Sequence, residues 1–431
     1  MGANQIIKKM LSDDMKLRAK KLLAVRKNHR MLQRKEQTAP YCKGLYPMGI
    51  NLIGDISAET GLGQSARILA SVMEKGGIPF CIKQVNTHGQ LAHNDGAWAG
   101  KTENGAKYAV NLIHIIPGTW AEDYYSLEKE ILDKRYHIAY WLWELEEFPD
   151  YWLPCIQTVD EIWTPSEFIS NAIRKKTKKP VLTVPYAIDM GNENRKAVGK
   201  SKGEETGTDM PEYFDREYFG LPKEKFLFLT MYDFISVSER KNPQAVIDAY
   251  VLAFPEEEKG VGLVIKVNHG EEKKLEQLKE QLKRYQNIYF MTENMTRREV
   301  NSLMSAADVL VSLHRSEGFG LPVAEAMALG KPVIATNWSA TAEFTDESSA
   351  CPVNYKLVPV RKTIGPYEKG NYWAEADIDH AAYYMKRLWE DREYAQRIGA
   401  NAKAYINGRL SYGHAADIIR DRLRTIDGQG K

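Results

Sequence analysis

From residue 49 onward, short apolar runs alternate with longer stretches whose apolar positions recur every three or four residues. Gly49–Ile56 (GINLIGDI), Pro79–Val85, Tyr108–Ile116 (YAVNLIHII), His137–Trp143 (HIAYWLW), Glu161–Thr164 and Pro180–Tyr186 read as strands. Gly61–Lys75, Glu122–Lys134, Tyr151–Val159 and Ser166–Lys176 read as helices; Gly76-Gly77 closes the first, and the Ser166 hydroxyl caps the last. Strands alternating with helices predict a parallel sheet covered on both faces.

Residues 189–220 lose this rhythm. Asn, Gly, Lys, Glu and Thr dominate there, as in a linker or surface insertion. The pattern then resumes, with strands at Phe226–Met231, Gly262–Val267, Ile288–Met291, Val309–Leu313 and Pro332–Ala335. Helices at Pro243–Leu252, Glu271–Tyr285, Thr296–Ala306 and Pro322–Leu329 separate them. A loop rich in Gly, Pro and Tyr follows, then helices at Asp379–Asp391, Tyr394–Gly408 and Tyr412–Arg424. The expected organisation is an arm (1–45), a first α/β domain (46–188), a linker (189–220), a second α/β domain (221–408) and a last helix (409–431). A chain of 431 residues exceeds what one hydrophobic core usually serves, which agrees with two domains.

Charge changes the picture at one end. Net charge is only +2, yet residues 1–37 hold 11 Lys and Arg against three acids, leaving the remaining 394 residues at −6. A basic tail on an acidic body does not describe a nucleic-acid-binding domain. Apolar residues at Ile7, Leu11, Met15, Leu22 and Val25 fit one stripe of a helix in that arm. Such a helix serves either as a surface anchor on an anionic membrane leaflet, where each basic residue adds about 1 kcal/mol, or as a leader packed on a partner. No run approaches the ~20 apolar residues of a membrane span. Cys42, Cys81, Cys155 and Cys351 are too scattered for a zinc or redox motif. Reduced thiols and the absence of a signal-peptide pattern point to the cytoplasm, with peripheral membrane contact as the exception.

The densest chemical signal is the segment His314-Arg-Ser-Glu317-Gly318-Phe319-Gly320-Leu321-Pro322-Val-Ala-Glu325-Ala-Met, followed by Gly330-Lys-Pro. A buried strand ends in a glycine-rich turn, and Pro322 opens a helix at a position it favours. Gly318 and Gly320 let the backbone approach an anion, which the free N–H groups of the helix start would face. Glu317 and Glu325 would repel a phosphate but suit hydroxyl donors such as those of ribose and hexose. Taken singly, each Glu also reads as a solvated turn residue or a complement to the helix dipole.

The whole segment resembles the family-4 retaining glycosyltransferases of the GT-B fold, whose hallmark is two Glu separated by seven residues. The resemblance covers about residues 48–400 in layout, with its specific motifs at 231–345. It implies two Rossmann-like, doubly wound parallel-sheet domains facing across a cleft. It also implies that Glu325 binds the nucleotide ribose, that Glu317 contacts the donor sugar, and that Gly318, Phe319, Gly320 and Leu321 line the donor site. The last helix is then expected to return to the first domain.

Other positions follow from the same resemblance. Lys241, in Glu239-Arg240-Lys241-Asn242-Pro243, matches the family's pyrophosphate-binding Lys. The usual Arg stands several residues upstream, where this chain has Asp233–Ile235, so Arg240 is its candidate substitute. A solvated helix entry is the other reading of this pair. Lys266, at the end of its strand, is a further cation. Gly61-Leu-Gly63-Gln-Ser-Ala66 opens a helix with G-x-G-x-x-A spacing, but Asn86 stands where NAD would need an acid. In the family, a glycine-rich loop here lines the cleft near the donor phosphates and acceptor. His114 is a candidate cleft residue or a hydrogen-bonded core residue. Glu144 stands near the place where relatives often carry a His, and reads otherwise as part of an acidic loop. Asn337–Phe344 should overlook the cleft, and Trp373 with Gly365–Gly370 is a candidate cover for its entrance.

The reaction implied is hexosyl transfer from a UDP- or GDP-linked donor to a saccharide or lipid-linked saccharide, by front-face displacement without a metal or other cofactor. Alternatives are a GT-B-fold epimerase or phosphorylase, or a non-catalytic sugar-nucleotide-binding partner of a polysaccharide assembly complex. Fold analogy alone does not separate them.

Overall fold

The computed structural model describes residues 13–86, 96–190, 213–233, 237–268 and 272–428. Ile7, Leu11, Phe234, Ile235 and residues 191–212 of the expected linker lie outside them. The chain forms two compact units. Unit 1 takes in Met1–Ala187, Arg361–Lys369 and Tyr412–Lys431; unit 2 takes in Ile188–Val360 and Gly370–Ser411.

Unit 1 begins with α1 (Asp13–Glu36), whose inner face is pinned to the unit. Met31 is buried, the Asn28 amide donates to the Tyr151 carbonyl at 3.2 Å, and Arg34 donates to the Leu127 carbonyl at 2.7 Å. Next come β1 (Ile50–Gly54), α2 (Gly61–Lys75), β2 (Phe80–Gln84), β3 (Val110–His114) and α3 (Pro117–Ser126). β4 (Tyr136–Tyr140), β5 (Glu161–Thr164), α4 (Glu167–Arg174) and β6 (Val181–Thr183) complete the series. The strands are parallel, in the order β2-β1-β3-β4-β5-β6. The sequence-predicted helix at Glu122–Lys134 starts earlier, at Pro117, and breaks after Ser126. Proline at the first helical position explains the early start. Tyr151–Val159 holds the end of a 3-10 turn (Asp150–Trp152) and a short helix at Leu153–Ile156 in place of one continuous helix.

Unit 2 runs β7 (Phe226–Asp233), α5 (Ser238–Lys241), α6 (Pro243–Ala253), β8 (Val261–Asn268), α7 (Glu272–Gln281) and β9 (Ile288–Met291). It continues with α8 (Arg297–Ala306), β10 (Val309–Ser312), α9 (Leu321–Ala328), β11 (Val333–Thr336) and β12 (Cys351–Val353). The sheet order is β12-β11-β10-β7-β8-β9, the arrangement of a doubly wound Rossmann sheet. Its pairings are parallel throughout. An antiparallel hairpin of β13 (Tyr355–Pro359) and β14 (Tyr372–Ala376) and the helices α10 (Ile378–Glu390) and α11 (Arg392–Arg409) close the unit. Phe228, Val246, Tyr250, Phe254, Ile265, Val311, Met385 and Leu388 are among its core residues.

The last helix, α12 (Tyr412–Ile426), belongs to unit 1 and packs on α2. Buried Glu161 anchors it, accepting from Arg422 Nη2 at 2.7 Å and from Arg422 Nε at 2.8 Å. Trp163 Nε1 donates to the same carboxylate at 2.7 Å. Among the described residues no helix is long and apolar enough to cross a membrane.

Candidate functional site

Each sheet changes winding direction at one place, and a crevice opens there beyond the carboxyl ends of the strands. In unit 2 that place lies between β7 and β10. α5 follows β7 and carries Arg240 and Lys241, while the turn after β10 carries His314 to Gly320. The topology thus brings together residues 76 positions apart: Lys241 Nζ donates to Glu317 Oε1 at 2.5 Å. Arg240 Nη1 lies 3.1 Å from Glu317 Oε2 and donates to the Ser316 carbonyl at 2.7 Å. The Arg315 amide donates to the Arg240 carbonyl at 2.7 Å, tying the two turns together through the main chain.

Glu317 is buried, which by itself would raise its pKa. Lys241 and then Arg240 outweigh that effect and hold its carboxyl well below the usual carboxylate range. His314 beneath it is driven the other way: burial lowers its pKa to about 4, so the ring stays neutral. Its two nitrogens lie 3.0 Å from the Ser312 and Thr341 hydroxyls. Two cations facing one carboxylate leave this cluster with a net positive charge.

The glycine turn has a local cause. Gly320 sits at φ 91° and caps α9, where a Cβ would meet Thr341 Cγ2 at 2.4 Å. Gly318 is buried, and the Phe319 ring packs 5.4 Å from Phe344. Leu321 and Pro322 open the helix, and Glu325 sits one turn in, buried. Arg297 at the start of α8 forks onto Glu325, with Nη1 donating to Oε2 at 3.3 Å and Nη2 donating to Oε1. Ser339, at φ 64°, accepts from the Glu317 amide through its hydroxyl at 2.8 Å.

Lys266 is buried at the end of β8, and burial lowers its pKa. Its ammonium donates to Asn268 Oδ1 at 2.5 Å and to the Glu293 carbonyl at 2.9 Å. Through the Glu293 carbonyl it braces the loop after β9.

Unit 1 changes direction between β1 and β3. His114 ends β3, and its Nε2 lies 2.6 Å from the Ser65 hydroxyl, which lies 2.5 Å from the Tyr186 hydroxyl. All three are buried, and burial lowers the His114 pKa to about 4. His114 is thus buried and hydrogen-bonded at the carboxyl end of β3. Gly63 accommodates a backbone approach, since a Cβ there would fall 2.0 Å from the Ala58 carbonyl oxygen. Gly61 has open space around its Cβ position. Half-buried Glu144 accepts from the Tyr367 hydroxyl at 3.1 Å, and Tyr367 is buried against Trp143. Trp373, in β14, lies under the Arg315 guanidinium at 5.4 Å.

Sequence reasoning missed Arg297, Ser339 and Tyr186 as site residues. Ser339 lay in a segment already singled out, whereas nothing near Arg297 or Tyr186 in sequence marks their partners.

Residues 214–405 match the family model described as glycosyl transferases group 1. No curated protein matches the chain. Among solved structures, HepE of Anabaena in complex with UDP-glucose is similar at TM-score 0.58 and 15% identity, covering 88% of this chain and 100% of that one. Sucrose-phosphate synthase of Thermosynechococcus elongatus is similar at TM-score 0.60 and 13% identity, over 88% and 99% of the two chains. A glycosyltransferase of Rickettsia africae is similar at TM-score 0.56 and 11% identity, again over 88% and 99%. The charged cluster at the unit 2 switch point lies wholly inside the matched segment, so residues 214–405 are a glycosyl transferases group 1 domain in a chain of GT-B fold.

Proposed function

We propose that the protein is a retaining glycosyltransferase that moves a hexosyl unit from a UDP- or GDP-linked sugar to a saccharide or lipid-linked saccharide. The observation that carries this reading is Glu317 held by Lys241 and Arg240, next to the glycine turn that opens the helix of Glu325. The UDP-glucose bound by Anabaena HepE supports a UDP-linked donor.

In this reading the acceptor oxygen bonds to the anomeric carbon while the bond from that carbon to the diphosphate oxygen breaks, on the same face. The acceptor proton passes to the departing diphosphate, and the configuration is retained. Lys241 and Arg240 neutralise the charge that develops on the leaving oxygen, aided by N–H groups at the start of α9. These groups do the work for which other enzymes recruit a divalent ion, so the displacement is metal-independent. Glu317 keeps the two cations in register and accepts hydrogen bonds from sugar hydroxyls, and Glu325 accepts those of the ribose.

The outer face of α1 exposes Met15, Leu22, Leu23 and Val25 beside Arg26 and Arg30, which supports peripheral contact of residues 1–37 with an anionic membrane. Such contact would bring the protein to a lipid-linked acceptor at the cytoplasmic face. Leu22→Glu with Val25→Glu should abolish co-sedimentation with phosphatidylserine vesicles; undiminished binding removes this part of the reading.

Thermal shift with UDP, GDP, ADP and their common sugars, on wild type and Glu325→Ala, tests the donor site. A nucleotide at 100 times its Kd adds about 2.7 kcal/mol of stability. A shift for one nucleotide family, lost in the variant, is the expected result. No shift with any of them, on folded protein, overturns the reading.

A further inference from the structure

We propose that Arg297 is a positioning residue for the donor ribose, acting through Glu325, and that it sets a preference for ribose over 2′-deoxyribose. The proposal rests on the donor reading above, in which Glu325 takes the ribose hydroxyls.

Arg297 comes from a distant element with a fixed root. It is the first residue of α8, inside a capping box in which Thr296 Oγ1 accepts from the Glu299 amide at 3.3 Å. The Glu299 carboxylate accepts from the Thr296 amide in return, at 2.7 Å. α8 is the crossover helix that carries the chain from β9 at the sheet edge back to β10. Its amino end therefore lies beyond the carboxyl ends of the strands, where α9 also begins.

The pair is asymmetric: the Glu325 side chain is 4% exposed and that of Arg297 is 34% exposed. The carboxylate is thus set inward, with its cation on the open side. A buried carboxylate needs a countercharge, and a guanidinium fork supplies one while also fixing the plane of the carboxylate. Each carboxylate oxygen accepts along two lone-pair directions, and those directions are set by the plane of the carboxylate. A vicinal diol that donates to Glu325 is therefore oriented by the arginine that holds that plane. A lysine in place of Arg297 would keep the charge but, as a point donor, would not fix that plane.

Calorimetry on the full chain tests this with the tightest binder among UDP, GDP and ADP and with its 2′-deoxy analogue. Wild type should prefer the ribonucleotide. R297Q should weaken it about tenfold while weakening the 2′-deoxy analogue much less, so that the preference collapses. R297K should retain the fold and lose most of the preference. A merely structural bracket between α8 and α9 would lower both affinities equally, and an unchanged ratio in R297Q would overturn the proposal. Should R297Q fail to fold, a full wild-type preference in R297K overturns it instead. Wild type that binds none of the three nucleotides removes the donor reading and this proposal with it, whereas tight wild-type binding lost in E325Q but unchanged in R297Q removes this proposal alone.

Discussion

At the switch point of unit 1, Ser65, His114 and Tyr186 make a chain of neutral hydrogen-bonding groups. At the switch point of unit 2, Lys241, Arg240 and Glu317 make a chain of charged ones. The topological place is equivalent, and each has a buried histidine just at or beyond the end of the second strand, its pKa lowered to about 4 by burial. What differs is the countercharge. Unit 2 can keep ions in a buried turn because carboxylate and cations arrive together from two strand ends, whereas His114 in unit 1 is satisfied by neutral hydroxyls. A parallel sheet supplies the crevice, and the residues at its strand tips decide whether an anion or an uncharged group is welcome there.

The sharpest way to break this contrast is to remove the carboxylate. Glu317→Ala leaves Arg240 buried without its ion pair and should cost about 3–5 kcal/mol, read as a lowered urea midpoint. Retained stability would mean that the cluster is not coupled as described. Lys241→Ala spares most of the packing and should lower transfer by about 10²–10³-fold, with folding near wild type. Full activity in that variant would remove the cation from the mechanism.

In unit 1 the matching change is smaller. Ser65→Ala removes the hydroxyl that joins His114 Nε2 to Tyr186 and should cost about 1–3 kcal/mol, seen in thermal melting. The pH dependence separates the two units further. A histidine whose folded pKa is depressed contributes stability that is present above about 6.5 and is lost as pH falls toward about 4, because the unfolded chain protonates first. Glu317 is also depressed, so its contribution is full above the ordinary carboxylate range and disappears only below it. Urea midpoints should thus fall in two stages on acidification, with Glu317→Gln flattening the second. A single stage unchanged in that variant would contradict the assignment.

The smallest effect belongs to the glycine motif of unit 1. Gly61→Ala meets nothing within 4 Å and should change stability by less than about 0.5 kcal/mol. Gly63→Ala, which drives a Cβ into the Ala58 carbonyl, should be clearly destabilising, by about 1–3 kcal/mol. Equal effects would mean that the motif works as a ligand loop at both positions and not as one close backbone approach.

Much of this was legible before any coordinates. Apolar spacing and turn residues are local, so every strand of the two sheets except β12, and the entry of α9 at Leu321-Pro322, could be read directly, while Glu317 and Glu325 were joined as one motif by the family resemblance. The break at Ser126 was not, since Glu122–Lys134 keeps helical spacing through a segment that the chain uses as two short helices. Arg297 was invisible because its partner lies 28 residues on, and Tyr186 because its hydroxyl partner lies 121 residues back.

Periodicity and composition were enough to specify two α/β halves with parallel sheets, a basic leading helix and a glycine-rich turn flanked by acids. They could not specify which cation meets which carboxylate, because those meetings depend on strand order, and strand order is a long-range property. β7 and β10 become neighbours only when the chain crosses back through α8, and that crossing puts Lys241 on Glu317 and Arg297 on Glu325. The same holds for Glu161 and Arg422, 261 residues apart, which meet because α12 returns to unit 1. Local sequence chooses the elements through short-range sterics and hydrogen bonding, while the charges find their partners only through burial in the assembled sheet.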